Sequence, residues 1–282
     1  MSTKKYKYLY KTSQNKSSED VFAHFPFDIN NGETWEAPYE RLVKLARLED
    51  WNFHRPEFKL KYKQKYPILT NYLNYTFMHA QYLNLIVFSD NDDKACFNTG
   101  LQTSNEKDIF ALFFRNKGSL QHNAPDWTFY SFVDSYSDKL KPYGNTLPEL
   151  PTYIDDPSDL VFDTKLEIEI NTEHIIETNK VRLPSPLQEN NRLAMMALNG
   201  AIESIKSKVI RNYKVAIPHW YNNKLQLLLP LNLTDDKIAD VALVVDKDKD
   251  RNIYKAVTIL PMDWAYIDAR LITRPDREWL NP

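Results

Sequence analysis

Residues 212–280 read NYKVAIPHWYNNKLQLLLPLNLTDDKIADVALVVDKDKDRNIYKAVTILPMDWAYIDARLITRPDREWL, and this stretch decides the fold. It contains four apolar segments separated by polar turns, and it closes with a segment of helical character. KLQLLLPL and ADVALVV are almost continuously apolar, which is typical of central strands buried on both faces. The stretch therefore predicts a four-stranded antiparallel sheet followed by a short helix.

A long helix is predicted directly before these strands. Its apolar residues keep the spacing of one buried helical face: Met195, Leu198, Ile202, Ile205 and Val209. Further upstream, LVFD and LEIEIN are interpreted as short strands. Asn171 is a plausible N-cap for a helix that begins at NTEHII. Together these segments predict a C-terminal α+β lobe over residues 151–282.

A second α+β lobe is predicted over residues 21–150. One helix is expected within residues 37–51, and another begins at Pro67, a residue type favoured in the first helical turn. LNLIVFS, KACFNTG, DIFALFFRN and WTFYSFV are predicted strands, with DNDD as a hairpin turn after the first. The proline-rich segment 141–157 marks the lobe boundary. Residues 1–20 are polar and lysine-rich, which predicts a flexible basic arm. The fold class is thus α+β, with two packed lobes that each contain a mainly antiparallel sheet.

Composition excludes several classes of protein. The 282 residues carry a formal net charge of −2, so nucleic-acid binding would need a local basic patch. A single cysteine, Cys96, excludes an internal disulfide and fits a reducing cytoplasm. No apolar run is long enough to span a membrane, and the start of the chain lacks a signal peptide. There is no P-loop, dinucleotide-binding, zinc-protease or hydrolase-elbow motif. We therefore expect no cofactor and no metal, and the sequence leaves the oligomeric state open.

Aromatic residues make up 13% of the chain, including 17 tyrosines. This excess is explained either by core packing or by stacking on nucleic-acid bases. A basic strand is predicted at EFKLKYKQKYP, where Lys59, Lys61 and Lys63 share one face. The lysines either protect an edge strand from aggregation or follow a phosphate backbone.

Three polar residues lie together on the border of the predicted closing helix. Asp263, Tyr266 and Arg270 are spaced i, i+3 and i+7, beside a predicted apolar stripe of Trp264, Ile267 and Leu271. Asp263 and Arg270 either tie the helix to a neighbouring loop, or the trio binds an anionic group with Arg270 as a forked donor.

Candidate catalytic residues are His219, His174 and Arg192. His219 is predicted to end a strand and His174 to follow a helix cap, and each is either a hydrogen-bonded structural residue or a base. Arg192 lies at a helix N-terminus, where the dipole opposes a cation, so a carboxylate or a bound phosphate must favour it. If Arg192, His219 and Arg270 converge, they provide a base and cations for metal-free RNA cleavage.

The order of a long helix and a four-stranded antiparallel sheet is similar to that of barnase-like and RelE-like ribonucleases, a likeness of fold alone. At CFNTGLQT, LQLLLPL, ADVALVV and TILPMDWAYIDARLITRPDREWL, the chain resembles a bacterial family of domains of unknown function, number 3825, over about residues 66–280. The resemblance implies an association with cold-shock or OST-HTH (LOTUS-type) RNA-binding modules. It implies no catalytic residues.

We therefore predict an RNA-binding or RNA-processing protein, with catalysis left open. The alternatives are a nucleotide or other anionic-ligand sensor, built on Asp263, Tyr266 and Arg270, and an interaction scaffold without chemistry.

Overall fold

This computed structural model describes residues 4–10, 18–52, 64–116, 124–144 and 146–273. These residues form two compact units. The first lies within Met1–His54 and Tyr62–Thr152, and the second begins at Tyr153. In the described ranges, no helix combines the length and the apolar character needed to cross a membrane.

The first unit is built around a six-stranded mixed sheet, in the order β1-β2-β6-β5-β4-β3. Its strands are β1 (Tyr8–Tyr10), β2 (Val21–His24), β3 (Val87–Phe88), β4 (Lys94–Gln102), β5 (Asp108–Arg115) and β6 (Trp127–Asp134). β1, β2 and β6 pair in parallel, whereas β6, β5, β4 and β3 pair antiparallel. The four strands predicted from residue 83 onward are therefore confirmed. DNDD forms the predicted turn, in which Asp92 has a positive φ of 54°.

Two helices accompany this sheet: α1 (Ala37–Leu45) and α2 (Pro67–Tyr82). Both were predicted, and Pro67 occupies the first turn of α2. The core between α2 and the sheet is aromatic. Phe77 of α2 lies with its ring centroid 4.7 Å from that of Phe22 and 5.5 Å from that of Phe97. Much of the aromatic excess therefore serves core packing.

The predicted flexible arm contains regular structure. Tyr8–Tyr10 form β1, which pairs with β2, and the amide of Leu9 donates to Asn74 Oδ1 at 2.8 Å. Leu9 is fully buried. The prediction of an arm over residues 1–20 is wrong for this segment, because two lysine-flanked aromatic residues and Leu9 supply enough apolar surface for an edge strand.

The second unit contains a five-stranded sheet in the order β7-β11-β10-β9-β8. Its strands are β7 (Ile168–Glu169), β8 (Ile217–Tyr221), β9 (Lys224–Leu231), β10 (Val241–Asp248) and β11 (Ile253–Pro261). β8 to β11 form the predicted antiparallel sheet, and β7 adds a short parallel edge. The strand predicted at LVFD is absent, since a 3₁₀ helix occupies Pro157–Leu160. The strand expected from residue 212 begins only at Ile217, after a 3₁₀ turn over Tyr213–Val215.

The helices of the second unit cover both faces of this sheet. They are α3 (Thr172–Asn179), α4 (Ser185–Gln188), α5 (Asn191–Arg211) and α6 (Met262–Ala269). Leu227 and Leu229 point to the face that packs against α3, α4 and α5, whereas Leu228 points to the face covered by α6. This double burial is the reason that β9 and β10 read as continuous apolar runs.

The buried side of α6 differs from the predicted one. Met262, Ala265 and Ala269 pack against the sheet. Trp264 is 36% exposed, with the Arg182 guanidinium 5.2 Å from its ring centroid. The prediction of Trp264 as a core residue is therefore wrong. The small alanine side chains let the helix approach the sheet closely, and a tryptophan on that side would hold it away.

Candidate functional site

His219 lies in the edge strand β8, in register with Gln226 of β9. Its side chain shares the α6 face with Ile217, and it is only 2% exposed. Within the described part of the chain, no group makes a hydrogen bond of normal geometry to either ring nitrogen. Burial lowers the pKa of His219 to about 4, although the Gln226 side chain favours the cation slightly. A buried neutral imidazole without solvent access is poorly placed to act as a general base.

His174 and Arg192 lie on the opposite side of the same sheet. His174 is exposed on α3, beside Ile175 and Ile176, which pack into the cluster under α5. Arg192 is exposed in the first turn of α5 and has no hydrogen bond or ion pair with the described residues. The sheet therefore separates both residues from His219. The convergence of Arg192, His219 and Arg270 expected from the sequence does not occur, because alternation along β8 turns His219 away from α5.

Asp263, Tyr266 and Arg270 remain neighbours along one border of α6. Tyr266 packs against the apolar cluster beneath the helix, and Asp263 Oδ1 accepts a hydrogen bond from the amide of Trp264 at 2.9 Å. All three are partly buried, and each interacts with other groups of the protein. The contacts of these three residues hold this border of α6 in place. Lys59, Lys61 and Lys63 lie outside the described residues.

A different group of side chains lies on the outer face of the first sheet, and no pattern in the sequence indicates it. Phe114 of β5 is 38% exposed and Tyr130 of β6 is 45% exposed. Their ring centroids are 4.5 Å apart, and their planes are inclined by 49°. β5 and β6 are inner strands of the six-stranded sheet, where large exposed aromatic rings are not needed for packing.

A β-bulge brings Tyr130 to this face. In the β5–β6 ladder, Leu112 pairs with Ser131, whereas the next residue, Phe113, pairs with Phe129. Tyr130 is the extra residue between them. Bulges bend a strand and redirect a side chain, so Tyr130 meets Phe114 while Phe113 and Phe129 remain in the core.

Two lysines accompany the rings. Lys139 Nζ lies 4.6 Å from the centroid of the Tyr130 ring. Lys139 lies two residues after Ser137. The Oγ of Ser137 accepts a hydrogen bond from the Lys139 amide and caps the 3₁₀ helix Asp138–Tyr143. Lys94 of β4 is the direct cross-strand partner of Phe114, so its side chain lies on the same face. We call Phe114, Tyr130, Lys94 and Lys139 the aromatic–lysine face.

The carboxylates that directly precede the two lysines in the chain, Asp138 and Asp93, interact with other residues. Asp138 forms an ion pair with Lys141 at 2.8 Å, and Asp93 Oδ1 accepts from Ser89 Oγ at 3.0 Å. Neither Lys94 nor Lys139 has an ion-pair partner among the described residues. Beneath the face, burial raises the pKa of the Cys96 thiol, so this side chain stays neutral. The aromatic–lysine face is therefore locally positive, although the whole chain is slightly acidic.

The first unit also has a cavity of about 620 Å³ between the β4–β5 hairpin and the segment 147–150. Its charged lining residues are Glu106, Lys107, Asp108 and Glu149, an acidic balance. Lys107 Nζ lies 4.7 Å from the ring centroid of Tyr136. Asp108 accepts hydrogen bonds from the side chains of Asn98 and Gln102. This lining disfavours an anionic ligand. In the ranges that the structure describes, no group of three or more His, Cys, Asp or Glu residues is arranged to hold a metal ion.

Fold and site together define an α+β protein of two mixed-sheet units. In the first unit, exposed aromatic rings lie beside two lysines that have no ion-pair partner among the described residues. The chain belongs to the family described as "Domain of unknown function (DUF3825)", whose model matches residues 42–279. Comparison of the chain with curated proteins and with solved structures finds no significant match.

Proposed function

We propose that this protein binds RNA through the aromatic–lysine face of its first sheet. The observation that carries the proposal is the exposed ring pair of Phe114 and Tyr130 on inner strands, with a lysine beside each ring. Unpaired bases stack on such rings, and each stacked base contributes about 1–3 kcal/mol.

The lysines supply the second element of nucleic-acid recognition. An ammonium group without an ion-pair partner among the described residues is available to a phosphate, and its binding releases condensed counterions. Because the formal net charge is −2, the attraction has to be local, and Lys94 and Lys139 provide it. The acidic cavity near Glu149 offers no comparable site for a phosphate.

The same proposal accounts for the association that the family resemblance implies. A protein that holds single RNA strands would work beside cold-shock or OST-HTH modules, in a bacterial cytoplasm. We propose binding without cleavage, because His219 and His174 lie on opposite faces of the second sheet. A metal-free mechanism needs its base and its phosphate-binding cation around one scissile bond.

The proposal is tested by titrating a fluorescein-labelled, unstructured RNA decamer with the full chain at about 50 mM salt and following the anisotropy. Phe114→Ala combined with Tyr130→Ala removes two stacking platforms, so the affinity should fall by about 30-fold or more, equivalent to about 2 kcal/mol. Both rings are partly exposed, so the double variant should keep the wild-type melting temperature within a few degrees.

Tyr213→Ala is the matched control, because Tyr213 is 61% exposed and belongs to the second unit. It should leave the RNA affinity unchanged. Equal affinity of the double variant and the wild type would exclude the aromatic–lysine face as the binding site. Equal affinity for a DNA decamer of the same sequence would show that the face binds single strands in general and does not distinguish RNA from DNA.

A further inference from the structure

We infer that the RNA taken by this face is a single-stranded step of two nucleotides whose bases are splayed apart, one on each ring, and that duplex RNA is excluded. This inference rests on the proposed function and adds the class of substrate. It follows from the angle between the two rings and from the way in which the bulge places them beside each other.

The two rings are not coplanar. Phe114 and Tyr130 are inclined by 49° with centroids 4.5 Å apart, so they contact each other and present faces of different direction. Successive bases in a duplex are stacked on one another, so a paired step inside it offers a free face to neither ring. Two bases that stack on both rings must open by about the same angle, and single strands do this readily because their bases are not paired.

The fold fixes the positions of the two rings. Phe114 follows Phe113 at the end of β5, and Phe113 is fully buried. Tyr130 is the extra residue of the bulge and has a buried neighbour, Phe129, which is 3% exposed. The core therefore holds both backbone positions from which the rings project, and the bulge places the two rings beside each other. The platform is in place before RNA arrives.

The two lysines of the face determine how many phosphates it contacts. Lys94 lies opposite Phe114 across the β4–β5 ladder, and Lys139 Nζ lies over Tyr130. One cation for each ring fits one phosphate for each nucleotide. For single strands, the logarithm of affinity falls with the logarithm of salt by about 0.7 for each neutralised phosphate, so two contacts give a slope of about −1.4.

The test measures competition against the labelled decamer by uridine 5′-monophosphate, by the 5′-phosphorylated uridine dinucleotide and tetranucleotide, and by a duplex that contains the decamer sequence. The dinucleotide should compete about tenfold better than the mononucleotide, because it fills the second ring. The tetranucleotide should improve on it by only about threefold, and the duplex should compete at least about tenfold less well than the free decamer.

Single variants distinguish the contribution of the rings to binding from that of the lysines. Phe114→Ala or Tyr130→Ala alone should abolish the advantage of the dinucleotide over the mononucleotide. Lys94→Gln and Lys139→Gln should keep that advantage and should each make the salt slope shallower by about 0.7. Lys141→Gln is the control, because Lys141 already pairs with Asp138, and its slope should equal that of the wild type.

Failure of this inference can be distinguished from failure of the proposed function. A duplex bound as tightly as the single strand, or no gain from mononucleotide to dinucleotide, overturns the splayed two-nucleotide step. If the ring variants still lose decamer affinity in that case, RNA binding at this face stands. If the wild type binds no RNA at all, the proposed function and this inference both fail.

Discussion

Single residues show how strongly environment changes chemistry in this protein. The sequence makes His219 a candidate base because it ends a predicted strand. It is only 2% exposed, and this burial instead gives a neutral imidazole with a lowered pKa of about 4. Phe114 was an ordinary strand residue in the sequence, yet 38% of it is exposed beside another ring. The degree of burial, rather than the residue type, makes His219 a structural residue and Phe114 a candidate binding residue.

His219 makes a prediction for the dependence of stability on pH. The unfolded imidazole has a pKa of about 6.5 and the folded one about 4, so the unfolded state binds more protons between these values. The free energy of unfolding should therefore fall as pH drops from about 6.5 towards 4, and no such loss occurs above pH 7. At pH 5, the penalty should be about 2 kcal/mol.

His219→Leu should remove this penalty, because leucine does not titrate. At pH 7.5, the variant should be as stable as the wild type or up to about 1 kcal/mol more stable, since it removes two buried nitrogens that make no hydrogen bond with the described residues. Urea unfolding at pH 7.5 and pH 5 measures the difference. His174→Leu is the control, because His174 is exposed. An identical pH dependence of wild type and His219→Leu would contradict the buried neutral state.

Elements form where local signals and packing agree. α5 begins at its predicted position because Asn190 Oδ1 accepts from the amide of Leu193 at 3.0 Å. α6 forms in the predicted place but is rotated, since the sheet accepts Ala265 and Ala269 at close approach. β6 carries a bulge at Tyr130 that interrupts its alternation. Helix caps are local, whereas helix rotation and bulges depend on the partner element.

The cap of α5 yields a prediction at this scale. Asn190→Ala removes the acceptor for the Leu193 amide and should lower the free energy of unfolding by about 1 kcal/mol. Asn191→Ala is the control, since Asn191 is exposed at the first helical position and should change stability by less than about 0.5 kcal/mol. Chemical denaturation measures both. A loss for Asn191→Ala equal to that for Asn190→Ala would show that the cap is not the cause.

In the whole molecule, the candidate residues are divided between two units. The aromatic–lysine face belongs entirely to the first unit, whereas His174, Arg192, His219 and Arg270 belong to the second. The second sheet separates His174 and Arg192 from His219. This distribution gives the predicted catalytic set no common centre.

The distribution is tested with His174→Ala and Arg192→Gln. Both residues are exposed, so neither change should unfold the protein. Each variant should bind the RNA decamer within about twofold of the wild type, because neither residue belongs to the aromatic–lysine face. The wild type should leave the labelled decamer intact in a gel assay. Cleavage by the wild type that either substitution abolishes would restore the second unit as a metal-free nuclease.

The sequence by itself determined the α+β class, both long helices with their starts, and the antiparallel order of β8 to β11. These features follow from periodicity, helix-start signals and turns within a few residues, such as the spacing of Leu198, Ile202 and Ile205 in α5 and Pro67 in α2. The tertiary structure alone decided which side of α6 is buried, on which sheet face His219 lies, and that a bulge presents Tyr130 beside Phe114. The reason is physical: each of these depends on contacts between residues distant in the chain, and no local pattern of residues encodes them.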